Sequence, residues 1–154
     1  MKYFYISFTY ICLFLFTYSM ETYAYNLSDL VNKKWYYVSD MPNDIIKMNI
    51  ECNNSTAKIS VHIQGSDENF IWTFAYHLSN EDNPAFKEAS VGKITEGQYI
   101  LMRGTNLPEG AINDFIFHIE SLSTDSLTIK LLNDNTIISS DAPKVWKFIH
   151  TSNQ

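Results

Sequence analysis

From Trp35 onward, apolar and polar residues alternate with a period of two, in short runs separated by turn-forming residues. Ile46, Met48, Ile50 and Cys52 alternate with Lys47, Asn49 and Glu51. After the tetrad Asn53-Asn54-Ser55-Thr56, Ile59, Val61 and Ile63 alternate with Ser60, His62 and Gln64. A period of two puts successive side chains on opposite faces of an extended strand, so these runs predict a hairpin. Gly65-Ser66-Asp67-Glu68 predicts the next turn. In the strand that follows, Phe70, Trp72, Phe74 and Tyr76 share one face, opposite Ile71, Thr73, Ala75 and His77. Residues 80 to 84 read as a loop, and Glu88 to Thr95 with Gln98 to Gly104 as a hairpin around Glu96-Gly97. Asn106 to Gly110 is a second loop. Phe115, Phe117 and Ile119 then alternate with Ile116, His118 and Glu120. A turn at Ser123-Thr124-Asp125 leads to Leu127, Ile129 and Leu131, Asn133-Asp134-Asn135 ends that strand, and Trp146 and Phe148 share a face of the last one. Ahead of Trp35, Leu27, Leu30 and Val31 behind Ser28-Asp29 suit one short helical turn.

Eight or nine short strands at regular spacing, with no long helical pattern, predict an all-β antiparallel fold. An up-and-down barrel satisfies the pattern and removes exposed sheet edges by closing on itself. A β-sandwich produces the same alternation and is the alternative. No internal repeat and no second domain is visible.

The first residues differ from everything after them. Met1-Lys2 supplies a minimal positive end, Tyr3 to Met20 carries no charge, and Thr22 and Ala24 are small residues at the spacing of a peptidase site. Residues 1–24 therefore read as a secretory signal peptide cleaved after Ala24, leaving 25–154 as a single exported domain, secreted or periplasmic. The uncharged run is near the lower limit for a membrane span, but its Tyr, Ser and Thr content and the cleavage-like end favour removal, with no stable membrane anchor afterwards. Cys12 lies inside the apolar run, which disfavours a lipoprotein. Cleavage removes one base and one acid, so the net charge stays at −6. With no dense basic run, that balance argues against nucleic acid and anionic membrane surfaces as partners. Cys52 alone remains, so no internal disulfide can form and apolar burial must hold the domain together. Asn26, Asn53 and Asn54 each begin a glycosylation sequon, which matters only in a eukaryotic source.

The helical turn, Lys33-Lys34-Trp35-Tyr36-Tyr37 and then Met41-Pro42 resemble the opening of lipocalins, where Gly-x-Trp-Tyr begins the first strand after a short helix. Lys144-Val145-Trp146-Lys147-Phe148 is similar to the closing strand of bacterial lipocalin-like proteins. The motif covers about ten residues; Lys33 stands where the family has Gly, and the cysteine pair of many secreted members is missing. The resemblance implies an up-and-down barrel with a blind, apolar interior for a small hydrophobic ligand, and gives Trp35 the structural role of closing the floor.

Phe70, Trp72, Phe74, Tyr76, Phe115 and Phe117 either line a ligand cavity or fill the core; a small barrel has room for packed side chains or for one small ligand. With only five glycines in the chain, core filling is the simpler reading. Arg103, the chain's only Arg, shares a strand face with Tyr99 and Leu101. Pointing inward, it would pair with a ligand carboxylate; at the strand end, it would reach water. His62, His77 and His118 lack metal-ligand spacing and lie opposite the more apolar faces of their strands, so they are expected at the surface. Cys52 has no oriented base or oxyanion hole in view and reads as a small buried hydrophobe. Asp67, Glu68, Glu81 and Asp82 lack the ligand pattern of a calcium loop. No catalytic constellation, metal site or cofactor motif is expected. The leading expectation is non-catalytic binding of a small hydrophobic or amphipathic ligand inside the barrel. The alternative is a protein-interaction module (inhibitor, adhesion or effector type) acting through loops 80–85 and 104–111 on a packed scaffold.

Overall fold

The alternating runs become antiparallel strands in a computed structural model that describes residues 24–39, 45–105, 114–133 and 143–151. In chain order the elements are β1 (Tyr25–Asn26), α1 (Leu27–Leu30), β2 (Lys34–Val38), β3 (Ile46–Cys52), β4 (Thr56–Ile63), β5 (Asn69–Ser79), a 3₁₀ turn (Glu88–Ser90), β6 (Glu96–Gly97), β7 (Tyr99–Gly104), β8 (Asp114–Leu122), β9 (Ser126–Leu131) and β10 (Val145–His150). Strands β2, β3, β4, β5, β7, β8, β9 and β10 form a closed eight-stranded barrel in that order, with β10 returning to pair with β2. This is the up-and-down barrel of the two architectures that the alternation allows. Closure leaves no open edge on this sheet.

The register brings inward residues opposite one another around the wall. Trp35 faces Ile50, Ile50 faces Ile59, Tyr76 faces Met102, Ile100 faces Phe117, and Leu127 faces Phe148. These residues belong to one buried cluster. Apolar burial at about 25 cal/mol per Å² is the main force available to a domain with a single cysteine in its described part.

At one end of the barrel α1 lies across the strands, its Leu27 and Leu30 are buried, and the fully buried Trp35 indole donates to the Leu30 carbonyl at 3.1 Å. Asn32, at φ 58°, takes the left-handed conformation that turns the chain from α1 into β2. Tyr76 fills the same end, its hydroxyl donating to the Asn53 carbonyl at 2.6 Å. Segments 40–44, 106–113 and 134–142 lie outside the described residues, as do Met41-Pro42, most of loop 104–111 and the stretch 1–23 read as a signal peptide.

The hairpin expected around Glu96-Gly97 does not form. Residues 88–95 carry only Val91 and Ile94 as large apolar residues, without strand periodicity, and fold as a 3₁₀ turn and loop. Glu96-Gly97 pairs instead with Tyr25-Asn26, and β7 pairs with β5 and β8. The β5–β7 connection thus runs along the outside of the barrel. Its Phe86 lies against His77, ring centroids 5.4 Å apart, and the Lys87 amide donates to His77 Nε2 at 2.9 Å. His77 is therefore buried, contrary to the surface position that alternation gave it. It does face outward from β5, but this later segment covers it.

Candidate functional site

Beyond the packed floor lies a cavity of about 110 Å³, partly enclosed. Met48, Ile59, Trp72, Phe74, Met102, Phe115, Phe117 and Trp146 line it. They are contributed by β3, β4, β5, β7, β8 and β10, so most of the wall takes part. Each is an inward position of its strand, which is why the period of two selects them. The rings hold one another in place. Phe74 meets Phe115 edge-on at 5.4 Å, Phe115 and Phe117 run parallel at 6.1 Å, and Phe117 contacts Trp146 at 5.6 Å. Outside this lining, Phe70 stacks on Trp72 at 6.0 Å and is 39% exposed. Tilted and offset contacts of this kind suit aromatic quadrupoles and give the lining a defined shape. The lining carries no ionisable group.

Phe70 lies outside the lining, but four of the seven residues proposed from sequence, Trp72, Phe74, Phe115 and Phe117, line this cavity. Tyr76 does not. It sits deeper, and its polar tip is committed to Asn53; burial raises its hydroxyl pKa well above the ordinary value. Arg103 stands outside the barrel. Its Nε and Nη2 donate to the two Asp114 carboxylate oxygens, each at 2.7 Å, and its guanidinium lies 4.4 Å from the Phe86 ring centre. This hydrogen bonding to the Asp114 carboxylate raises the Arg103 pKa further. It shares a face with Tyr99 and Leu101 as the pattern required, but that face is the outer one, and the inward face of β7 is Ile100 and Met102. Leu101 reads as a core residue because it is buried; it is the register partner of the outward-facing His77. Met48, Ile59, Met102 and Trp146 are the lining residues that the candidate list lacked. Trp146 and the β3 and β4 alternation already marked three of them as apolar-face residues, whereas Met102 had no signal of its own.

The other candidates stay apart. His62 is exposed on β4 opposite Lys47, and His118 lies outside on β8, 5.4 Å from the Tyr99 ring. Among the described residues no three metal-ligating side chains converge. Cys52 packs against the core at the closed end, where burial pushes its thiol up to about 12. Asn53 Oδ1 accepts the backbone amides of Ser55 and Thr56 at 2.9 and 2.7 Å, so this residue shapes the β3–β4 turn. Glu81 pairs with Lys87 within the β5–β7 connection. Comparison of the chain with protein-family models, curated proteins and solved structures finds no match, which leaves the functional reading to the site itself.

Proposed function

We propose that this is an exported, non-catalytic binding protein of lipocalin-like type, which takes the apolar end of a small amphipathic molecule into the open half of its barrel. The observation that carries this reading is the ring-lined cavity, free of charged side chains, whose lining residue Trp72 stacks on exposed Phe70. Its size sets the ligand. Sites for drug-sized molecules occupy roughly 300–1,000 Å³, whereas a cavity near 150 Å³ accepts a benzene ring. A space of about 110 Å³ suits one small ring or a short alkyl end. Each methylene moved there from water contributes about 0.8 kcal/mol. Because Arg103 is paired outside the wall, the ligand's polar end faces solvent at the mouth and meets no buried charge.

Native mass spectrometry of protein purified gently from its own host, before and after denaturation, tests this. The expected result is a reproducible small-molecule mass lost on denaturation, with Trp72 and Trp146 fluorescence shifting when that compound is added back. A bare polypeptide mass together with unchanged fluorescence across alkyl and aromatic probes would reject it. A protein-interaction module is the second reading, favoured by the apolar residues exposed at the open end: Ile45 at 54% and Leu132 at 49% beside Phe70. A stoichiometric protein recovered from the native compartment, bound in competition with no small molecule, would select it.

A further inference from the structure

No dense run of bases occurs in the sequence, yet the barrel register gathers lysines on one side of the wall. The outward positions of β9, β10, β2, β3 and β4 carry Lys130, Lys147, Lys34, Lys47 and Lys58 against a single acid, Glu51. In a chain of net charge −6 this is a segregated basic face, with the described acids lying largely on connections and on β8. A groove of about 470 Å³ runs over the outer side of β2–β5, its floor built from Asn49, Ser60, His62 and Asn69 and its sides from Lys47 and Lys58. Glu51 is bound to Lys34 at 3.0 Å, an interaction that raises the Lys34 pKa. Lys47 and Lys58 have no carboxylate within ion-pair distance among the described residues. In the floor, the buried Asn49 Oδ1 is a hydrogen-bond acceptor with no donor.

We propose that this groove binds an acidic saccharide chain. Lys47 and Lys58 are about 14 Å apart at Cα by strand geometry, a spacing that successive carboxylates or sulfates on a chain can follow. Sugar hydroxyls are partners for the polar side chains of Asn49, Ser60 and Asn69 in the lining. Single-stranded nucleic acid would want a row of stacking rings, and the groove offers only Tyr36, with the Lys34 ammonium 5.7 Å from its ring centre. An anionic membrane is the competing partner, because Val38, Ile71, Val145 and Ile149 are exposed on outward positions of the same wall, and the test therefore includes anionic vesicles.

The experiment is calorimetric titration, at low salt, of protein made from the complete chain with a hexamer of galacturonic acid and with a sulfated heparin hexasaccharide. Binding of either supports the proposal, and which one binds identifies carboxylate or sulfate as the anion. Lys47→Glu with Lys58→Glu is expected to weaken binding about tenfold or more, with an unchanged thermal transition. Asn49→Leu is expected to weaken it about threefold without changing the salt dependence, a readout that general charge attraction would not move. No binding of either saccharide, equal binding by the double variant, or tighter binding to an oligonucleotide of equal charge or to anionic vesicles would overturn it.

Discussion

At Gly97 the chain has no room for a side chain. A Cβ placed there would lie 2.5 Å from the Ser79 nitrogen and 2.7 Å from its carbonyl oxygen, both backbone atoms that cannot turn aside. Gly97→Ala is expected to lower stability by roughly 1–3 kcal/mol, visible as an earlier midpoint in urea. An unchanged midpoint would mean that β6 does not lie against the end of β5. Cys52 makes a second prediction at this scale. Its thiol is held at about 12 in the folded chain against an ordinary 9.0, so the unfolded chain loses its proton first as pH rises. This contribution to stability is intact below about pH 9 and declines between 9 and 12. Cys52→Ala should reduce the alkaline loss without abolishing it, because burial raises the Tyr76 hydroxyl in the same direction. At pH 8, alkylation of Cys52 should be slower than in the denatured chain by on the order of a hundredfold.

The element that decides the architecture is β10, because its pairing with β2 separates a closed barrel from an open sheet or a sandwich. Val38 and Lys147 are register partners across that seam. Directly opposed residues of an antiparallel pair stand about 4.5–5.5 Å apart at Cα, within disulfide range. In a Cys52→Ala background, Val38→Cys with Lys147→Cys should therefore cross-link in air and stabilise the fold by several kcal/mol, since the bridge closes a long loop. Val38→Cys with Val145→Cys, two residues out of register, should cross-link far more slowly. Equal yields would argue against this seam. Strands β3, β4, β8 and β9 were legible in the alternation because each buries one face only, and β5 because its aromatic residues recur at every second position although its last residues are buried on both faces. The segment before β7 was not, because a turn signal at Glu96-Gly97 looks the same whether the flanking chains pair with each other or with distant strands.

For the whole molecule, the barrel interior is divided between a solid floor and a small cavity, and the aromatic residues named from sequence are distributed between the two. Tyr76 fills, while Trp72, Phe74, Phe115 and Phe117 line. Replacing Met102 by the larger Trp should occupy the cavity, removing small-ligand binding while the thermal transition changes little or falls by about 1–3 kcal/mol. Retained affinity for a compound identified by mass spectrometry would place its site elsewhere. The same substitution lies inside the barrel and should leave saccharide binding at the outer groove unaffected, which separates the two proposed sites.

Local pattern alone determined the all-β class, most of the strands, the short turn before Trp35 and which aromatic residues face inward. Those follow from the two-residue period of a pleated strand, a property of neighbours in sequence. Tertiary structure decided everything that depends on which strand lies beside which. Closure through β10 and β2, the outward side of Arg103, the burial of His77 under Phe86 and the gathering of distant lysines on one wall all come from pairing register. In an antiparallel meander, alternation defines two faces for each strand but does not name the inner one when both carry buried residues, as β7 does with Leu101 and Met102. Only contact with the rest of the barrel distinguishes them.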